Sequence, residues 1–210
     1  MQNQNLLCTR LLQLTRMHNM GQLIRLLGLA LTVALTSPLP ALSGELGDKL
    51  QRADHVLLMR HALAPGIGDP EGYRLDDCST QRNLNATGVT QAARIGGWLK
   101  QQGVVDAQVF SSPWCRCLDT ARLLKAGPVT TERSLGSFFN EATDGQAATR
   151  ELEQLIARTK ARIGKKPLLL VTHHVNILAY IGENIDSGDM VLARIDGAGK
   201  VLSYRRYASP

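Results

Sequence analysis

At 210 residues, with 44% hydrophobic and 20% charged side chains, the chain has the composition of one globular domain. That excludes wholesale disorder, collagen-like character and two full-sized domains. Aromatic residues make up only 4%, too few for a surface built on base stacking. The formal charge of +6 points to an anionic partner, but Arg10, Arg16 and Arg25 precede residue 44 and no acid does. Without those three the balance is 21 cations against 18 acids, so nucleic acid is not the expected partner.

Residues 1–43 read as a secretory signal peptide. Basic residues lead into the apolar run Leu26 to Thr36, followed by Ser37, Pro38 and Pro40 and then by small Ala41 and Ser43 before Gly44. A run of 11 residues is too short to span a bilayer, which takes about 20. The alternatives are a buried core helix and a retained anchor, and Met17 and Met20 offer alternative starts. The expected mature protein is residues 44–210, periplasmic and without a stable membrane anchor. Cys8 goes with the leader and Cys78, Cys115 and Cys117 remain, enough for one disulfide and one leftover sulfur. Cys115 and Cys117 are close neighbours on an expected helix, so a bridge from Cys78 to one of them is the easier geometry. Zinc is the alternative, although CxC with a single distant cysteine lacks the usual paired ligand spacing.

His55 to Arg60 is a short apolar run with the look of a buried strand, delivering Arg60 and His61 to its carboxyl end. Residues 62–84 carry Gly66, Gly68, Pro70 and Gly72 and read as a long loop over a site. From Thr87 to Gln102, Val89, Ala92, Ala93, Gly96 and Leu99 recur at helical spacing, with Gly103 as a stop. Ala107 to Ser111 predicts a strand, and Ser112 with Pro113 an N-cap and first-turn proline for a helix through Leu124. Val129 to Thr131 predicts a third strand. Leu152, Leu155, Ile156 and Ile163 share a face of another helix, and Leu168 to Thr172 is a second wholly apolar strand. A helix after His173 and strands near Met190 to Ile195 and Val201 to Tyr207 follow.

This alternation predicts a single α/β domain, with a mixed, mostly parallel sheet and helices on both faces. Ligands in such folds sit outside the carboxyl ends of the strands. Arg60 with His61, Ser111 through Arg116, and Thr172 through His174 all fall there. Each has a plainer reading: a buried ion-pair partner and a core histidine for Arg60 and His61, a solvated helix arginine for Arg116. That reading weakens because both histidines end apolar strands, where an apolar residue would serve a structural role at less cost. Two arginines and two histidines converging on one edge suit a phosphate. Guanidinium forks bind its oxygens bidentately and stay charged, while a neutral imidazole can attack phosphorus. Fixed positive charges then stabilise the oxygens in flight, so neither metal nor other cofactor is required.

LMRHALAPG, SSPWCRCLDTA and LLLVTHHVNI, in this order, resemble the three signatures of the histidine phosphatase superfamily, the phosphoglycerate-mutase-like proteins. The resemblance spans about His55 to Gly182, and RNLNATGVTQA is similar to the family's segment leading into its first helix. It implies a phosphoglycerate-mutase-like fold. It also implies a phosphorylated nucleophile at His61, phosphate clamps at Arg60 and Arg116, and a second histidine at His173 that hydrogen-bonds the transferring group. Arg82 and His174 are added substrate-binding candidates.

The chain departs from the pattern in three places. RHG is RHA at Ala62, His174 stands where related phosphatases often carry Gly or Asp, and Ile67 falls where mutases carry a phosphate-binding Asn. The general acid is therefore expected at Glu141, with Glu132 behind it. Exported lipopolysaccharide-core heptose phosphatases are similar in leader, RHA and a short C-terminal half, which implies a phosphorylated small molecule or envelope sugar as substrate. A non-catalytic anion-binding protein and a metal-dependent hydrolase using His61, His173 and His174 are the competing expectations.

Overall fold

The computed structural model describes residues 44–139 and 145–210. The expected leader and Glu141 lie outside the described residues. Helix α1 (Glu45–Leu50) precedes strand β1 (His55–Arg60). A long loop then carries a short 3-10 turn at Cys78–Thr80 and leads to α2 (Ala86–Gln101). There follow β2 (Gln108–Ser111), α3 (Cys115–Leu124), β3 (Val129–Thr131) and a 3-10 turn at Arg133–Leu135. The remainder is α4 (Gly145–Ile163), β4 (Leu168–Thr172), α5 (His174–Ile181), β5 (Met190–Ile195) and β6 (Val201–Tyr207). The sheet order is β3-β2-β4-β1-β5-β6, parallel through β1 and antiparallel for β5 and β6.

Because successive strand side chains point to opposite faces, β1 feeds two cores. Leu57 and Met59 pack with Leu46 and Leu50 of α1, Ile95 and Leu99 of α2 and Leu124 of α3. Val56 and Leu58 pack with Leu152, Leu155 and Ile156 of α4 and Ile177 of α5. Each such side chain, fully removed from water, contributes about 1.5–3 kcal/mol. This explains why β1 is apolar from Val56 to Met59 and β4 from Leu168 to Val171. Among the described residues no helix is long and apolar enough to cross a membrane.

The parallel register sets Arg60 opposite Thr172 and Ser111 opposite Val171, so the carboxyl ends of β1, β4 and β2 lie side by side. Backbone bonds continue past the strands, from His61 N to Thr172 O (3.0 Å) and from Ser112 N to Val171 O (2.9 Å). Gly88 in the first turn of α2 lies against the Leu63 carbonyl. A β-carbon there would collide with backbone, so only glycine lets α2 abut the loop after β1.

Two local expectations need correction. α2 is capped by Asn85, whose side chain accepts from Gly88 N at 2.8 Å, and it starts at Ala86 rather than Thr87. Ser112 does not cap α3, which begins at Cys115 with Trp114 at the cap position and no side-chain cap bond. The Ser112 hydroxyl is instead committed to a histidine from another strand.

Candidate active site

A cavity of about 390 Å³ opens over the adjoining ends of β1, β2 and β4. Arg60, His61, Arg82, Arg116, His173 and His174 all line it, so six of the seven candidate residues meet in one place. Glu141 is outside the described residues. Its understudy Glu132 serves the turn before α4. It accepts from Ser134 N and Oγ at 3.1 and 3.0 Å and from Arg158 at 3.2 Å, which makes it a structural carboxylate.

His61 is buried, and its Nδ1 lies 2.8 Å from the Ala62 carbonyl. A carbonyl only accepts, so Nδ1 carries the proton and Nε2 keeps its lone pair. Burial pushes the ring down to about 3; the Ala62 hydrogen bond opposes this, while Arg116, Arg82 and Arg60 reinforce it. The imidazole is therefore neutral at any ordinary pH. The Ala62 peptide that fixes the tautomer is itself held, because Ala62 N donates to Thr120 Oγ1 (3.0 Å) and Thr120 donates to the Arg116 carbonyl (2.6 Å).

His173 sits edge-on to His61, ring centres 5.5 Å apart, and edge-on to Trp114 at 5.2 Å. Arg116 Nη2 points at His173 Nδ1 from 3.4 Å, and a guanidinium only donates, so Nδ1 is the acceptor. The proton is then on Nε2, which donates to Ser112 Oγ at 2.8 Å. Burial, then the neighbouring His61 and Arg116, hold His173 well below the ordinary histidine range. Both nitrogens are thus engaged, and neither offers a spare donor to a phosphoryl oxygen. His174 opens α5 at the cavity wall, its ring 5.6 Å from that of Phe139. Burial and the Arg60 charge lower it as well.

Arg116, in the first turn of α3, is matched by Asp69 from the long loop at 2.8 Å, with side-chain exposures of 3% and 5%. Asp69 also accepts from Arg82 N (3.0 Å) and Trp114 Nε1 (3.1 Å). Burial pushes its carboxyl up, but the Arg116 guanidinium and the other donors outweigh that and hold it below its usual value. Asp69 and Trp114 are functional-site residues that sequence reasoning missed. A single Asp in a glycine-rich loop carries no signal, and Trp114 reads as an apolar helix start. Arg60 Nη1 donates to the Ile185 carbonyl at 2.8 Å. Among the described residues the buried Nε of Arg60 and of Arg116 have no hydrogen-bond partner. Arg82 lines the cavity, but its Nε and Nη1 donate to the Gly68 and Ala64 carbonyls, so it staples the loop as well as bounding the site.

A second tie holds that loop. Cys78 is bonded to Cys115 beside Arg116, resolving which of the two neighbouring cysteines pairs, while Gln81 Oε1 accepts from Cys115 N at 3.0 Å. Oxidation of Cys78 and Cys115 leaves Cys117 the remaining thiol among the described residues, and burial pushes it up to about 12. It is inert, and no group of three His, Cys, Asp or Glu among the described residues is arranged to hold a metal ion. A crosslink across 37 residues of sequence should stabilise the fold by about 4 kcal/mol less any strain. Non-reducing mass spectrometry is expected to find one disulfide and one free thiol. Cys78→Ser should lower the urea midpoint measurably, and an unchanged midpoint would mean that the bridge does not constrain the chain.

Comparison with known proteins gives a consistent picture. The sequence model for the histidine phosphatase superfamily, branch 1, matches residues 56–162, which contain His61, Arg82 and Arg116. No curated protein matches the sequence. Solved structures share the fold at low identity. The protein histidine phosphatase SixA, complexed with tungstate, is 17% identical with a TM-score of 0.53, covering 74% of this chain and 97% of its own. Phosphoserine phosphatase from Entamoeba histolytica, in complex with 3-phosphoglyceric acid, is 15% identical with a TM-score of 0.54, covering 71% and 95%. A mycobacterial glucosyl-3-phosphoglycerate phosphatase is 16% identical with a TM-score of 0.52, covering 75% and 100%.

Proposed function

We propose, from the premise that this chain belongs to the histidine phosphatase superfamily and is a phosphoric monoester hydrolase, that it works through a phosphohistidine at His61, without metal and outside the cytoplasm. The observation that carries this reading is the His61 tautomer. With Nδ1–H donated to the Ala62 carbonyl, the Nε2 lone pair is left for a cavity that the guanidiniums of Arg60, Arg82 and Arg116 also line. In the first step the Nε2–P bond forms as the P–O bond to the leaving group breaks, and the departing oxygen takes up a proton. In the second, water attacks phosphorus, the N–P bond breaks, and inorganic phosphate leaves as the water's proton is given up.

Arg60 and Arg116 supply fixed positive charge for the phosphoryl oxygens throughout, a part that a metal would otherwise play. The 3.4 Å contact from Arg116 to His173 is long for a hydrogen bond, so an arriving oxygen can replace it. Glu141 is assigned as general acid on chain order, and Glu141→Gln tests the assignment. The Cys78–Cys115 bridge supports export to an oxidising compartment such as the periplasm, and the expected substrate is a phosphorylated small molecule or envelope sugar. The deciding experiment assays the mature chain on a panel of phosphomonoesters with and without chelator. Phosphate release unchanged by chelator is expected. Release abolished by chelator would favour the metal-dependent alternative, and tight phosphate binding without release would favour an anion-binding protein.

The two adjacent histidines should separate in the same assay. His173→Ala removes the buried partner of Arg116 and is expected to slow phosphorylation about 100-fold or more on every substrate. His174→Ala alters the wall and should act less, mainly on KM and differently for each substrate. Single-turnover rates giving equal losses would reverse the assignment.

A further inference from the structure

We infer that the site takes a single phosphoryl group carried by an uncharged body with an apolar face, and that it disfavours substrates bearing a second anionic group. This rests on the phosphatase reading above. Three guanidiniums line the cavity, but only part of their charge faces a ligand. Arg116 is matched by buried Asp69, and the Nε and Nη1 of Arg82 are committed to loop carbonyls. Asp186, at the mouth, acts on Arg60 together with Asp189. The three histidines are all held toward their neutral forms by burial and by these arginines. Among the described residues the lining therefore carries three permanent cations against two carboxylates. The guanidinium nitrogens of this lining that, among the described residues, have no hydrogen bond and are not sealed from the cavity are Arg60 Nη2 and Arg82 Nη2. One phosphate uses them. A second carboxylate or phosphate further out finds no spare cation and meets Asp186.

The mouth has the opposite character from the buried part. Ile67 is 88% exposed and Phe139 45% exposed, yet both line the cavity. Phe139 lies against the His174 ring, and Tyr73 lies against Trp114 at 6.1 Å between ring centres. Apolar and aromatic surface gathered at a cleft mouth marks where a ligand rests. A cavity of about 390 Å³ has room for a body beyond the phosphate. Two kinds of body share the required chemistry, an aromatic ring and the C–H face of a sugar ring.

The test compares kcat/KM of the whole mature protein for benzyl phosphate, glucose 6-phosphate, glycerol 2-phosphate and 3-phosphoglycerate. All four release aliphatic alcohols, so differences report the body rather than leaving-group quality. Benzyl phosphate, glucose 6-phosphate or both should exceed glycerol 2-phosphate by about tenfold, the scale of a modest apolar contact. 3-Phosphoglycerate should fall below glycerol 2-phosphate by a similar factor. Whichever of the first two leads identifies the body. Ile67→Ser and Phe139→Ser should shrink the preference for the ring substrate, and Asp186→Asn should raise 3-phosphoglycerate relative to glycerol 2-phosphate. If 3-phosphoglycerate matches or beats the neutral substrates, the charge argument is wrong. If glycerol 2-phosphate matches both ring substrates, the apolar argument is wrong. Hydrolysis of none of the four would overturn the phosphatase reading itself, an outcome distinct from a changed order of preference.

Discussion

His61→Ala is expected to abolish turnover, with a loss on the order of 1,000-fold or more, because the Nε2 lone pair is the nucleophile and its removal deletes the covalent route. Rapid acid quench with phosphoryl-labelled substrate should trap label on the wild-type chain and none on the variant. A variant retaining a tenth of the wild-type rate would place the nucleophile elsewhere. The same residue should make the fold sensitive to acid. His61 titrates at about 3 in the folded chain, while an unfolded histidine titrates near 6.5. Its contribution is therefore complete above pH 6.5 and declines as the pH falls toward 3, since the unfolded chain binds the proton first. At pH 5 the loss is about 2 kcal/mol for such a histidine. Urea midpoints at pH 7 and pH 5 should diverge accordingly, and by less in His61→Asn.

Replacing Arg116 by lysine should be nearly as damaging, although charge is conserved. The guanidinium does three things at once. Nη1 holds Asp69 at 2.8 Å, Nη2 reaches His173 at 3.4 Å, and the guanidinium as a whole lines the cavity with fixed positive charge. A single ammonium cannot satisfy three directions. The expected cost is about 2–4 kcal/mol of transition-state stabilisation, or roughly 30- to 1,000-fold in kcat/KM. Arg60→Lys should fall in the same direction. It would lose the bond to the Ile185 carbonyl or the second arm of the fork that lines the cavity, since one ammonium cannot serve both. Steady-state kinetics on both variants checks this. A lysine variant with near-normal kcat would reduce these arginines to general electrostatic attraction.

The elements themselves were legible because burial writes itself into sequence. Val56–Met59 and Leu168–Val171, the interiors of β1 and β4, are apolar at every position because helices cover both faces of the sheet. That same feature made Arg60, His61 and His173 stand out where the apolar runs end. Motif order supplied Arg116, and the cysteine spacing limited the disulfide to two pairings. The partners of those residues were not legible. Ser112 resembles a helix cap in its local sequence, but its hydroxyl goes to His173, 61 residues away, because β2 and β4 are neighbours in the sheet. Asp69 meets Arg116 across 47 residues only because the loop after β1 folds over α3 and is tied there by Cys78. Periodicity and capping are local, so the sequence alone determines which residues lie at strand ends and helix starts. Side-chain pairing depends on which strands adjoin and where a loop returns. Only the tertiary structure decided which nitrogen of His61 is free, what engages His173, and how much of the arginine charge is left for a phosphate.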